Sequence, residues 1–143
     1  MDQIDIEKTM KMLSLTGKPP MQYSPLVLAY IGDSVYELYI RTILVHRADD
    51  TVDTLNRKGS FYAKAVTQAR IMRTLEAELS ETEVAVYKRG RNAKSPTKAK
   101  NASVVEYRVA TGFEALIGYL YLSGSFDRLT EIIRRAIEIA DAD

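Results

Sequence analysis

The sequence predicts an all-α fold, a single domain over residues 1–143. Three observations carry this. Apolar residues recur at three- and four-residue spacing almost throughout, the period of an amphipathic helix, and no sustained alternation marks a strand. Ser or Thr stands ahead of the apolar runs, and Gly or Pro punctuates their ends. A chain of 143 residues with 46% hydrophobic and 27% charged residues suits one globular core.

A first helix spans about Ile4 to Leu15 and stops at Gly17, with Pro19 and Pro20 beyond it. Ser24 is a good N-cap, and Pro25 at the first helical position loses nothing by lacking an N–H; this helix runs through Asp33 to about Val45. A short helix near Val52 to Lys58 is expected to end at Gly59. Ser60 would cap the next, whose buried face would be Phe61, Ala65, Gln68, Met72, Leu75 and Leu79. Ser80 and Glu83 have capping-box spacing and start a helix ending near Gly90. From Arg91 to Ala102 the chain is polar, basic and interrupted by Pro96, and reads as a mobile loop. Ser103 and Glu106 repeat the capping-box spacing and open a helix to about Leu122, with Val109, Phe113, Leu116 and Leu120 inward. After a turn at Ser123-Gly124-Ser125, the last helix places Leu129, Ile132, Ile133, Ala136, Ile137 and Ala140 on one stripe.

Composition excludes several chemistries. The absence of cysteine removes disulfides, thiolate zinc sites and a Cys nucleophile, and fits a reducing cytoplasm. The acidic start, Met1-Asp2-Gln3-Ile4-Asp5-Ile6-Glu7, does not read as a secretory signal, and no apolar stretch is long enough for a bilayer. The lone histidine, His46, has no Ser or Asp arrangement around it that would support nucleophilic catalysis. There is no phosphate-binding glycine loop and no dinucleotide fingerprint. A net charge of +1 gives no global attraction to nucleic acid, but the charge is unevenly placed. Lys88, Arg89, Arg91, Lys94, Lys98 and Lys100 follow one another with no acid among them. Such a stretch, about 88–102, suits contacts to phosphates, which set affinity and position rather than sequence choice; the plainer reading is a solvated charge run.

Two acids interrupt apolar helical segments. Asp33 lies in Leu28-Ala29-Tyr30-Ile31-Gly32-Asp33-Ser34-Val35-Tyr36-Glu37, and Glu114 in Thr111-Gly112-Phe113-Glu114-Ala115-Leu116-Ile117-Gly118. A carboxylate in apolar surroundings is costly unless paired or bound to a cation, and a mid-helix glycine costs about 1 kcal/mol relative to alanine. One Asp directly after a glycine and one Glu flanked by Gly112 and Gly118 point to a divalent metal. Salt bridges to neighbouring helices are the alternative for both. Glu37 has its own partner in Arg41, four residues on. Gly32 has a structural reading as a point of close helix packing.

Tyr30-Ile31-Gly32-Asp33-Ser34-Val35 resembles the Phe-Leu-Gly-Asp-(Ser/Ala)-Val signature of the ribonuclease III catalytic domain. Phe113-Glu114-Ala115-Leu116-Ile117-Gly118 resembles that family's second signature, and with Lys88-Arg89-Gly90-Arg91-Asn92-Ala93-Lys94-Ser95 between them the chain looks like the Mini-III branch, a catalytic domain alone. The resemblance implies that Asp33 and Glu114 are the catalytic, metal-binding acids and that the metal is Mg²⁺. It implies hydrolysis of double-stranded RNA to 5′-phosphate and 3′-hydroxyl ends by a homodimer. It further implies RNA contacts from Lys88, Arg89, Arg91, Asn92, Lys94, Ser95 and Lys98, and maturation of precursor 23S ribosomal RNA, with a ribosomal protein or the pre-ribosome as a further partner and no membrane. The family's other acids fall here on Leu26, Ala29 and Thr111. That departure keeps an alternative in view: a double-stranded-RNA-binding protein of the same fold with little or no cleavage.

Overall fold

A computed structural model describes residues 5–94 and 103–142. Seven α-helices form among the described residues: α1 (Ile6–Met12), α2 (Pro25–Arg47), α3 (Val52–Ala63), α4 (Ala65–Leu75), α5 (Glu81–Asn92), α6 (Val104–Leu122) and α7 (Phe126–Asp141), with no strand. Among these residues no helix is long and apolar enough to cross a membrane.

Most boundaries follow local chemistry. Ser24 Oγ accepts from the Val27 amide, with Pro25 in the first turn of α2. Ser80 with Glu83, and Ser103 with Glu106, form complete reciprocal capping boxes at α5 and α6. The turn after α6 needs Gly124, whose φ is +71°.

Three expected boundaries move. Helix α1 ends at Met12 rather than near Leu15. Ser14 adopts a left-handed φ of 57°, and the Ser14 and Leu15 amides turn back to Lys11 O and Met10 O, which closes the helix early. Helix α3 runs through Gly59 to Ala63; Ser60 caps nothing but donates its hydroxyl to Asn56 O within the same helix. The break comes instead at Lys64, in extended conformation, and Phe61 of the expected buried face is exposed. Helix α5 continues two residues past Gly90 to Asn92.

Helix α6 is the central element, packed against α2, α4, α5 and α7. From Ala110 to Gly118 only Glu114 escapes full burial, so the helix is apolar nearly all round, as an enclosed helix must be. Tyr36, Phe113, Ile71, Met72, Leu116, Ile117 and the α7 stripe fill the main core, with Tyr36 and Phe113 edge to face at 5.2 Å. The Tyr36 hydroxyl, deep in this core, donates to Tyr62 O at 3.0 Å. At the rim Tyr62 donates to Asp141 at 2.6 Å and Arg47 to Asp141 at 3.0 Å, tying the end of α7 to α2 and α3. At the other end Arg128 holds the buried Glu83 carboxylate at 2.8 Å and also reaches Glu131 and Glu78 O, so α7 is clasped to the start of α5.

Glycines let the central helices touch backbone to backbone. A Cβ on Gly32 would stand 1.8 Å from Glu114 O, and one on Gly118 1.9 Å from Leu28 O. On another side of α6, a Cβ on Gly112 would meet Tyr87 O at 2.6 Å, and one on Gly90 would meet Gly112 Cα at 2.8 Å. These atoms are backbone and cannot swing away. Gly32→Ala or Gly118→Ala is therefore expected to lower stability by about 3 kcal/mol or more. Gly59→Ala, whose nearest neighbour would be Leu44 at 3.7 Å, is expected to raise it by about 0.5–1 kcal/mol. Urea midpoints of the three variants check both signs.

Candidate active site

Asp33 follows Gly32 on α2, and Glu114 lies one turn before Gly118 on α6. The glycine contact that presses α2 on α6 uses the Glu114 carbonyl itself. The two acids are thus brought together by the same crossing that fixes the helices, and their carboxyls lie within hydrogen-bonding reach. Asp33 is exposed and Glu114 is partly buried. Burial, then the hydrogen bond with Asp33, then Asp33's charge push the Glu114 carboxyl up to about 9; the Gln68 side chain, from α4, pulls the other way. Burial also drives the Tyr36 hydroxyl, one turn past Asp33, well above the ordinary tyrosine range, with Glu114 among the smaller causes.

The remaining acids resolve simply. Glu37 pairs with Arg41 at 2.7 Å, as its spacing predicts. Thr111 is buried and spends its hydroxyl on Tyr107 O at 3.0 Å, and Ala29 is buried. Among the described residues no group of three or more His, Cys, Asp or Glu side chains surrounds a metal position. The pair Asp33–Glu114 with a neutral amide beside it nevertheless fits a hard dication that keeps several of its ligands as water or phosphate oxygen. A cation there would offset the burial, and with it the repulsion from Asp33, that keep Glu114 protonated. His46 donates from Nδ1 to Thr42 O at 2.7 Å on the exposed surface, away from these acids in any catalytic arrangement.

The basic residues divide. Lys88, Arg89, Arg91 and Asn92 stand on the last turns of α5 rather than in a loop, and Lys94 lies just beyond. Cations there complement the helix C-terminus. Lys88, Asn92 and Lys94 are exposed. Arg91 stacks over the Tyr87 ring at 5.7 Å and donates to Asn92 Oδ1 at 3.3 Å. Arg89 reaches back to Met21 O at 3.2 Å and Tyr23 O at 3.3 Å, joining α5 to the turn ahead of α2. Through Gly90 this part of α5 crosses α6 at Gly112 and Ala115, on either side of Glu114 in sequence. Ser95 and Lys98 lie outside the described residues.

Gln68 had no part in the site expected from sequence. Its place on the buried face of its helix was legible; the overlooked signal was one amide among apolar positions there.

In metal-free protein the folded state keeps the Glu114 proton up to about pH 9, whereas an ordinary carboxyl, near 4.5, loses it in the unfolded chain. Below that lower value Glu114 has no pH effect. Between the two the folded state binds more protons, so stability falls as pH rises, by up to about 1.4 kcal/mol per pH unit. Urea titrations in chelator at pH 5, 7 and 9 should show this decline, largely abolished in Glu114→Gln.

The ribonuclease III domain model matches residues 26–125, which hold both acids and the basic turn. The chain is 50% identical over 119 residues to the Mini-ribonuclease 3 of Clostridium tetani, covering 82% of this chain and 79% of that protein. It is 46% identical over 127 residues to the Mini-ribonuclease 3 of Thermoanaerobacter sp., covering 89% of each. A crystal structure of a Fusobacterium nucleatum protein superposes with a TM-score of 0.75 at 31% identity, over 85% of this chain and 98% of that one. With its helical fold, its paired acids and these relatives, the chain belongs to the ribonuclease III domain family of endoribonucleases, in the Mini-ribonuclease 3 branch.

Proposed function

We propose that this protein is a Mg²⁺-dependent endoribonuclease that hydrolyses phosphodiester bonds of double-stranded RNA as a homodimer in the cytoplasm, in the maturation of precursor 23S ribosomal RNA. The observation that carries the reading is the Asp33–Glu114 pair, two carboxyls pressed together at a backbone contact where neither has a basic partner among the described residues.

Asp33 and Glu114 would hold the cation. Bound there, it supplies Lewis acidity toward a phosphoryl oxygen and lowers the pKa of a water ligand. Asp33, exposed, is the acid open to substrate; Glu114, partly buried, is the one held fixed by packing. The exposed basic side chains at the end of α5 would grip phosphates on either strand of an A-form duplex, whose recognition is dominated by shape and backbone. The dimer finds support in α2. Val27, Tyr30, Leu38 and Val45 are 47%, 80%, 64% and 60% exposed and lie along one side of the helix, bordering Asp33. Two-fold pairing of that stripe would set two acid pairs side by side, one per RNA strand.

The missing acids at Leu26, Ala29 and Thr111 favour the second reading, RNA binding without cleavage. Long double-stranded RNA separates the two. Wild type with Mg²⁺ is expected to cut it, while Asp33→Asn and Glu114→Gln cut about a hundredfold less or worse and still bind. Binding with no cleavage by wild type would establish the second reading.

Replacing Lys88, Arg91 and Lys94 together by alanine is expected to weaken RNA binding. The slope of log affinity against log salt should fall by about one for each phosphate that is no longer neutralised. Arg89→Ala should in addition lower the melting temperature, because the Met21 and Tyr23 carbonyls lose their donor.

A further inference from the structure

Gln68 is 2% exposed, and its Nε2 meets no hydrogen-bond partner among the described residues. A buried amide donor left unmet costs about 1–3 kcal/mol, and folded proteins carry few of them. This one is not in an apolar void. It projects from α4 toward α6 and lies within hydrogen-bonding reach of the Glu114 carboxyl. Three helices therefore deliver one side chain each to the same point: Asp33 from α2, Gln68 from α4 and Glu114 from α6. With both acids ionised, only Gln68 of the three is a donor. An ionised carboxylate is acceptor-only, so an amide that partners it must offer Nε2 rather than Oε1. Thr111, one turn before Glu114, cannot serve instead, because its hydroxyl is committed to Tyr107 O.

We infer that Gln68 is a positioning residue for the metal site: its Nε2–H donates to one oxygen of the ionised Glu114 carboxylate and so fixes the face that Glu114 turns toward a divalent cation. The inference rests on the metal-site reading above and adds a member from α4 to it. Hydrogen-bonded partners behind a ligating carboxylate fix its orientation, and their loss costs about 10–100-fold in metal affinity or activity.

The test is Mn²⁺ binding, followed by electron paramagnetic resonance without RNA, on wild type, Asp33→Asn and Gln68→Met. Methionine is close in volume and has no donor. Wild type should bind, Asp33→Asn should not, and Gln68→Met should bind about 10–100-fold more weakly. The metal-free urea midpoint of Gln68→Met should equal or exceed that of wild type, since an unmet buried donor has been removed. In cleavage assays its kcat should fall at low Mg²⁺ and recover at high Mg²⁺, with KM for the RNA unchanged. A Gln68→Met protein that binds Mn²⁺ like wild type overturns the inference. Equal Mn²⁺ binding by wild type and Asp33→Asn overturns the metal-site reading, and the role of Gln68 with it. Should Gln68→Met not fold, wild type alone decides by NMR. On Mg²⁺ addition the Gln68 side-chain amide protons should move downfield; unmoved resonances overturn the inference.

Discussion

Everything in this protein is arranged around the place where α2 and α6 touch without side chains between them. Gly32 faces the Glu114 carbonyl and Gly118 faces the Leu28 carbonyl, each at a distance that no other residue could accept. The reciprocity matters. Each helix gives up a side chain opposite the other's backbone, so the crossing has one register only, and side chains next to the glycines inherit that register. Tyr36, Phe113 and the α7 stripe then pack around a centre already fixed. The second crossing, Gly90 on Gly112, does the same for α5, so α6 is gripped from two sides by helices that cannot slide along it.

The same contact explains why an acidic pair is tolerated inside a small fold. Partial burial and the neighbouring Asp33 both disfavour charge on Glu114, so the acidic pair is destabilising unless a proton or a cation offsets it. Rigid surroundings are what allow such a site to persist, since relaxing it would require the helices to separate. The ion pairs Arg128–Glu83 and Arg47–Asp141 tie the two ends of α7 to α5 and to α2, and the large apolar core supplies the stability that offsets the cost of the acidic pair.

The fold was readable from sequence wherever the signal was local and unopposed. Both capping boxes, the Ser24-Pro25 start and the α7 stripe lie where their chemistry puts them. Gly59 misled because a glycine between two apolar runs reads as a stop, yet tertiary packing carried the helix through it and the break fell at Lys64, which has no distinctive composition. Ser14 misled in the opposite sense, ending a helix with no glycine at all. In the candidate site, Asp33 and Glu114 stood out because an acid in an apolar helix with a glycine close by breaks two local rules at once. Gln68 breaks only one, mildly, and its meaning depends on an adjacency between α4 and α6 that no spacing along the chain encodes.

The clasp between Arg128 and Glu83 separates folding from binding by ionic strength. Glu83 is buried and its partner is two-thirds covered, so dissolved ions screen that pair weakly, whereas Lys88 and Lys94 meet the full ionic atmosphere of the solvent. Helix α5 is thus held at its first turn by an interaction that salt barely reaches, and presents at its last turn charges that salt controls. If those charges hold RNA as proposed, a polyanion would be loaded and stripped by changes in salt alone, while the frame that carries the acids stays folded.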